Sequence, residues 1–481
     1  MKIPGLAVLA PLGFCLLQFA CGAQPKAPGA DVLLITIDTL RADYIHAYGF
    51  PLEITPSIDA LAARGVLFEN AIAAATLTAP AHASIMTSRY VREHSVGSRN
   101  GDTRLEGLPT LAERFAEAGY ETAAFISNVV LRRRMGLDRG FATYDDELPA
   151  SEQNRDRYFE RPAEATARQA LTWMADQAGN QPVFLWLHLQ DPHGPYSAPA
   201  PWSGRIDRVA LAMRGELGVL NQNSGRAGIP FYQAQEGLRD PARYAALYAE
   251  EIQYADHWVG QVISAMEKRS GARGSVILLT ADHGESLGEN GWFFQHGQST
   301  APELARVPFI VAAPGLERGR IRGPVSHVDV APTLLALAGL PGLPDASGRP
   351  LRAQLLGEES PEDRLVFCDT DGESAAYGSE SWTRIVGSTL SDRPETPPRP
   401  IQSESALLSA EGIWLPGELD SQAMDALAEY IEGRAALVAA GPMAPEHIEE
   451  LRALGYGAPL EDYDEEPTRS GPPAPEPHAG S

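Results

Sequence analysis

Asp31-Val-Leu-Leu-Ile-Thr-Ile37, with Asp38 directly behind it, is the stretch on which the fold turns. Its unbroken aliphatic character is that of a β-strand covered on both faces, since a strand with one wet face alternates apolar and polar residues. The runs Thr122 to Ser127, Val183 to Leu189 and Ser275 to Thr280 share this character, and Val307 to Ala312 supplies a fifth. Helical periodicity fills the intervals at Ser57–Arg64, Leu108–Ala118, Pro162–Gln177 and Ala242–Lys268. Strands and helices in alternation predict an α/β fold, a large mostly parallel sheet flanked by helices. Residues 197–240 interrupt the alternation and are too long for an ordinary connection, which predicts an insertion that shapes a cleft. The organisation predicted is a main domain over 31–355, a small C-terminal α+β subdomain over 356–460, and a disordered, acidic and Pro-rich tail over 461–481.

Bulk composition narrows the class. The chain has 481 residues, 44% of them hydrophobic, which is enough apolar material for a large core. Its 63 acidic against 39 basic side chains give a formal charge of −24, and that excludes a general binder of nucleic acid or of anionic membranes. An anionic substrate must therefore be held by local positive groups. The three cysteines, Cys15, Cys21 and Cys368, provide no disulfide framework. Lys2 followed by the apolar run Ile3 to Ala20 reads as a secretory signal over residues 1–21, and Pro4, Gly5, Pro11 and Gly13 count against a spanning helix. Ala20-Cys21-Gly22 resembles a bacterial lipoprotein cleavage site with Cys21 as the lipidated residue, and residues 22–30 form a tether. Simple secretion and an uncleaved anchor are the alternatives. The only membrane association expected is through that lipid or N-terminal anchor.

Acids and imidazoles collect where the strands end. Asp38 follows the first strand, Asp191 and His193 follow Val183–Leu189, and Asp282 with His283 follow Ser275–Thr280. Ligands of open α/β sheets bind beyond the carboxyl ends of the strands, so three strands deliver these groups to one rim. One such Asp would be read as a helix cap, whereas three together point to a site. In Ala75-Thr-Leu-Thr-Ala-Pro-Ala-His82 a helix begins near Thr78, two residues before Pro80, which puts a hydroxyl at a helix N-terminus where anions are favoured. Thr78 is either an N-cap or a nucleophile held against a divalent metal ion.

These residues resemble the sulfatases of the alkaline phosphatase superfamily. The likeness runs from Asp31 to about Leu351 through Leu34-Ile-Thr-Ile-Asp-Thr-Leu-Arg-Ala-Asp43, Thr55-Pro-Ser-Ile-Asp59, Pro80-Ala-His-Ala-Ser84, Asp191-Pro-His-Gly-Pro195, Thr280-Ala-Asp-His-Gly-Glu285 and Val328-Asp-Val-Ala-Pro-Thr333, and Leu451-Arg-Ala-Leu-Gly-Tyr456 matches the ending of many relatives. The resemblance implies an alkaline-phosphatase-like sandwich and a metal-dependent hydrolase of sulfate or phosphate esters, with residues 31–355 as the catalytic domain. It places Asp38, Asp282 and His283 on metal-ligand positions and Thr78 on the nucleophile, whose oxygen also touches the metal. His82 falls where the family has an Arg that steadies the nucleophile. Asp191 and His193 lie in the segment that contacts the transferred group, and His296 sits near a position that binds the anion or protonates the leaving group.

The departures are as informative. Sulfatases proper carry Cys or Ser in Cys-x-Pro-x-Arg, which is converted to formylglycine, whereas Thr78-Ala-Pro-Ala-His82 has neither the convertible residue nor the Arg. A secondary alcohol cannot be oxidised to an aldehyde, so no formylglycine is expected and direct attack by Thr78 is the route left open. Thr39 replaces the second Asp of the usual acidic pair, and Phe125-Ile-Ser-Asn-Val-Val130 stands where a Lys-x-His segment is usual. Two substrate-binding cations are therefore missing. Two carboxylates, a hydroxyl and an imidazole suit one divalent ion, Ca, Mg, Mn or Zn, and Asp191, His193 and His296 are the residues available for a second. The expected partner is a small anionic ester or a sulfated or phosphorylated glycan. A phosphoryl-group transferase acting on a cell-envelope acceptor and an inactive anion-binding homologue are the competing readings. Arg132-Arg-Arg134 reads as a solvated face, His188 as a core residue, and His327 and Asp329 as structural, while Arg41, Arg99 and Asn100 are possible contacts at the rim.

Overall fold

The computed structural model of the protein describes residues 29–96, 103–152, 154–177, 181–211, 215–359, 364–370, 372–388, 402–408, 414–418, 420–433 and 441–442. The signal segment with Cys21, the pair Arg99 and Asn100, the Leu451–Tyr456 ending and the acidic tail lie outside them.

Eight strands make the main sheet: β1 (Asp31–Ile37), β2 (Val66–Phe68), β3 (Glu121–Phe125), β4 (Thr143–Asp145), β5 (Val183–Leu189), β6 (Ser275–Ala281), β7 (Phe309–Ala312) and β8 (Gly319–Ile321). Their order is β8-β2-β7-β6-β1-β5-β3-β4. Every residue of β1 and β5 is buried, as unbroken aliphatic strands at the centre of a two-sided sandwich require. The sheet is mixed in one respect: β7 runs antiparallel to both β6 and β2. The run Val307 to Ala312 is also split, with Arg306–Val307 in a separate small sheet and Phe309 opening β7. Pro308 stands at the break and has no N–H to give a ladder.

The helices include α1 (Pro56–Arg64), α2 (Thr78–Thr87), α3 (Val91–His94), α4 (Leu111–Glu117), α5 (Ala163–Asp176) and α6 (Pro241–Ser270), with further helices at Pro302–Ala305, Val330–Leu337 and Arg352–Leu355. Helix α4 starts three residues later than its apolar pattern, because Thr110 caps it: Glu113 N donates to Thr110 Oγ1 at 3.2 Å and Thr110 N to Glu113 Oε2 at 2.8 Å. Within residues 197–240 the described backbone is irregular apart from a 3₁₀ turn at Phe231–Gln233. Beyond the main sheet, five antiparallel strands from Val366 to Pro416 carry the helix Ser421–Gly433. They join the rest of the molecule where Asp369 N donates to Ala74 O at 2.9 Å, four residues before Thr78. No helix among the described residues is long and apolar enough to cross a membrane.

Candidate active site

Strand register brings the acids together. Ile37 lies opposite Ala281 on β6 and opposite Leu189 on β5, so the three strands end level and the next residues, Asp38 and Asp282, emerge side by side, fully buried. The turn behind Asp38 is held left-handed at Thr39, φ 56°, a conformation a β-branched residue seldom adopts. Its backbone is over-determined: Thr39 N donates to Asp282 Oδ1 at 3.1 Å and Tyr248 Oη donates to Thr39 O at 2.6 Å.

His283 and Thr78 complete the group. His283 Nδ1 donates to Gly284 O at 3.0 Å, which leaves Nε2 as a lone pair. That nitrogen is 3.3 Å from Thr78 Oγ1, 3.5 Å from Asp282 Oδ2 and 3.9 Å from Asp38 Oδ1. Thr78 is the first residue of α2 and Leu77 is its N-cap, so the Thr78 hydroxyl is free of capping duty. Asp38 Oδ1, Asp282 Oδ2 and Thr39 Oγ1 are buried without a hydrogen-bond partner. Burying unpaired carboxylate oxygens is costly, and among the described residues the ion-pair neighbours of Asp38 and Asp282 are all histidines. Burial pushes the Asp38 carboxyl up to about 7, against the opposing effects of His283 and Asn128. Ligand atoms of Asp38, Asp282 and His283 lie within 4.8 Å of one another. Orphaned carboxylate oxygens, an imidazole lone pair and a hydroxyl form a donor set that fits a divalent cation.

A second triad, His82, His188 and Asp282, is equally close but suits a metal poorly. His82 Nδ1 donates to Thr78 O at 2.7 Å; Trp186 Nε1 donates to Thr36 Oγ1 at 2.9 Å, so the Thr36 hydroxyl gives its hydrogen to His82 Nε2 at 3.0 Å. Both nitrogens are used. His82 thus ties the Thr78 backbone to β1 and leaves the Thr78 hydroxyl untouched. His188, read from the sequence as a core residue, is buried within β5 yet belongs to this site. Ser127 N donates to its Nδ1 at 3.4 Å, which places the proton on Nε2, 3.6 Å from Asp38 Oδ2. Asn128 Nδ2 donates to the same oxygen at 2.8 Å. Asn128 fixes the Asp38 carboxylate from behind, while His188 Nε2, buried without a hydrogen-bond partner, lies beside it.

The remaining expected residues divide. Asp191 turns away: its Oδ2 accepts from Ala163 N at 2.6 Å at the start of α5, and its carboxyl pairs with that of Glu251, both raised by burial. His193 and His296 stay at the rim, with ring centroids 5.1 Å apart and His296 4.5 Å from His283. Burial lowers His296 to about 4 and His193 well below its usual value, with the charge of Arg155 contributing to both. The imidazole range near 6–7 is therefore not where these two titrate, and both are neutral at pH 7. His296 Nδ1 faces Glu285 Oε1 at 3.3 Å, and burial pushes that carboxyl up to about 8. The insertion packs onto this rim: a Cβ on Gly194 would collide with Gln233, and Tyr232 lies 6.2 Å from His193, centroid to centroid. Arg41 is buried and committed to Asp43, Glu289 and the carbonyl of Glu285. Sequence reasoning missed His188, Asn128, Glu285 and Arg155 as site residues. A lone imidazole opposite Thr36 in an otherwise apolar strand is the signal that could have found the first.

A sequence profile described as Sulfatase matches residues 30–340. The chain is 26% identical over 394 residues to a Delta 4,5-hexuronate-2-O-sulfatase of Bacteroides thetaiotaomicron, covering 72% of this chain and 76% of that protein. It is 27% identical over 363 residues to a choline-sulfatase of Rhizobium meliloti, covering 64% and 68%. Among solved structures, a phosphonate monoester hydrolase from Silicibacter pomeroyi superposes with a TM-score of 0.63 at 20% identity, covering 83% of this chain and 93% of that one. The fold is thus the alkaline-phosphatase-like α/β sandwich, and with the family profile spanning well over half its length the protein belongs to the sulfatase family of ester hydrolases.

Proposed function

We propose that the protein is a metal-dependent hydrolase of anionic esters in which Thr78 is the nucleophile, and that it favours phosphate mono- or diesters over sulfate esters. The observation that carries this reading is Thr78 Oγ1 at 3.3 Å from His283 Nε2, at the point where two unpaired carboxylate oxygens converge. Asp38, Asp282, His283 and Thr78 would hold a divalent ion, which would lower the hydroxyl pKa and neutralise charge on the transferred group. The Thr78 hydroxyl gives its proton to solvent water and its oxygen bonds to phosphorus as the ester bond to the leaving alcohol breaks; water then attacks the threonyl phosphate, its proton returning through His296 to Glu285, and Thr78 recovers its proton from solvent as phosphate leaves. Glu285 and His296 serve the leaving group: the carboxyl proton moves to His296 Nδ1 while Nε2–H is given to the departing oxygen. A sulfated threonine would lack the easy release that a formylglycine hydrate allows, which favours phosphorus.

Thr78→Ala tests the nucleophile. Turnover of matched aryl phosphates, phosphodiesters and aryl sulfates should fall by about 10³ or more on the preferred class, since nucleophile and metal contact go together. Wild-type turnover in the variant, or faster hydrolysis of sulfates than of phosphates by the native protein, overturns the reading. Asp282→Ala should lose the metal while keeping the fold, and stoichiometric metal by elemental analysis would refute the ligand assignment. The relatives named for hexuronate and choline esters support a small anionic or glycan ester as substrate. The Ala20-Cys21-Gly22 junction supports export as a Cys21-lipidated envelope protein; detergent-phase partitioning that survives Cys21→Ser would reject this.

A further inference from the structure

The site reads as a collection of acids and neutral imidazoles, and it must bind an anion in a protein of charge −24. The Lys and Arg of the family pattern are missing from it. One guanidinium compensates. Arg155 starts the second strand of a hairpin, Ala150–Glu152 with Arg155–Glu160, that lies against the rim. Its ion-pair partner Glu152 has Oε1 3.8 Å from His193 Nδ1, and the Tyr158 ring under the guanidinium stacks on the His193 ring, which places Arg155 beside the two imidazoles next to His283.

Other arginines nearby are spent. Arg41 forks onto Asp43 and also bonds Glu289, and Arg161 is taken by Asp145, Thr166 and Ile126 O. Arg155 is held differently. Its Nε and Nη2 each donate to Glu152 at 2.5 Å, and the guanidinium carbon lies 4.0 and 4.2 Å from the ring centroids of Tyr158 and Tyr232. Nη1 has no hydrogen-bond partner among the described residues, and the side chain remains 15% exposed. A fixed cation with one edge occupied and the other open is a preorganised fork for a planar oxyanion. The hairpin is itself pinned: Asn154 Nδ2 donates to Tyr232 O at 2.9 Å and Ala234 O at 3.0 Å, so the insertion and the hairpin position the cation jointly.

The order of groups gives the side of the substrate it meets. Thr78 touches His283, the His283 ring adjoins His296, His296 adjoins His193, and His193 stacks on Tyr158 beneath the guanidinium, at 5.7 Å and 7°. Arg155 therefore stands beyond the imidazoles from the nucleophile, outward from the ester bond. We propose that Arg155 is a specificity-determining residue that binds a carboxylate carried by the leaving alcohol of the substrate. This rests on the hydrolase reading above and adds the substrate class: esters of hydroxy acids or acidic sugars.

The test uses the full chain and the phosphate and sulfate esters of two phenols alike except that one bears a carboxymethyl group and the other its uncharged carboxamide. Native enzyme should favour the carboxylate at least tenfold in kcat/KM, through KM. Arg155→Met should bring that ratio to about one, and Glu152→Gln, which removes the competing carboxylate, should raise it. An ion pair that only braces the hairpin would make both variants lose turnover on both esters with the ratio unchanged, which overturns the proposal. Calorimetric binding of the same two esters to Thr78→Val separates the two readings. A carboxylate preference in binding that is lost with Arg155→Met upholds Arg155 even if native turnover is absent and the hydrolase reading fails. Equal binding of the two esters overturns Arg155 while leaving the hydrolase reading intact.

Discussion

At the scale of single residues, the exchange of Cys or Ser for Thr at position 78 and of Arg for His at 82 changes how the site is held. A neutral imidazole whose two nitrogens bond Thr78 O and Thr36 Oγ1 can brace a helix end but contributes no charge to an anion. Burial lowers His82 to about 3, so it stays neutral throughout the working range. In the proposed reaction, proton supply falls to the Glu285–His296 pair. Glu285→Gln keeps the shape and an oxygen to accept from Tyr196 Oη, which donates to Glu285 Oε2 at 3.2 Å, but removes the proton, and its effect should grow as the leaving alcohol becomes more basic. We expect a loss of about tenfold to a hundredfold on alkyl esters and little on nitrophenyl esters. Equal losses on both would remove Glu285 from proton transfer.

At the scale of elements, the ligands depend on close approach between backbones. Gly284 sits between His283 and Glu285, and its N donates to Leu304 O at 2.7 Å. A Cβ there would lie 2.0 Å from Glu303 O, a backbone atom that cannot swing aside. Gly284→Ala must shift either the segment carrying His283 and Glu285 or the Pro302–Ala305 turn, at a cost of about 1–3 kcal/mol. Metal content and turnover should fall with it, and a variant of native stability and activity would show that the turn yields freely. The helix patterns told the same story from sequence: α5 and α6 fall within two residues of their predicted spans because their apolar stripes are long, whereas α4 was set by Thr110 rather than by its stripe.

At the scale of the whole molecule, histidines in the interior make stability depend on pH. His94 is buried, accepts from Val96 N at 3.0 Å and adjoins Ser84 Oγ at 3.0 Å, and burial lowers it to about 3. Its folded value is below the unfolded one of about 6.5, so the unfolded chain takes the proton first. The stabilising term is full above pH 6.5 and is lost progressively as pH falls toward 3, by about 2 kcal/mol between pH 7 and 5. Denaturant unfolding of His94→Gln should show that much less pH dependence over the interval, and identical slopes would refute it. Much of the plan was legible without coordinates. Unbroken aliphatic runs such as Asp31–Ile37 and Val183–Leu189 specify doubly covered strands by their hydrophobicity alone, and acids directly behind them must emerge at the strand ends. Thr78 just ahead of Pro80 specified a helix start by local backbone preference. What lies between elements was decided by tertiary structure. Only strand register could set His188 beside Asp38, and only the folding of the Asp191 turn against α5 could spend its carboxylate on a helix end. Arg155 became a rim cation through a hairpin and an insertion that carry no periodic signal. Periodicity encodes which face of an element is buried, while the meeting of side chains from distant segments depends on how those faces pack.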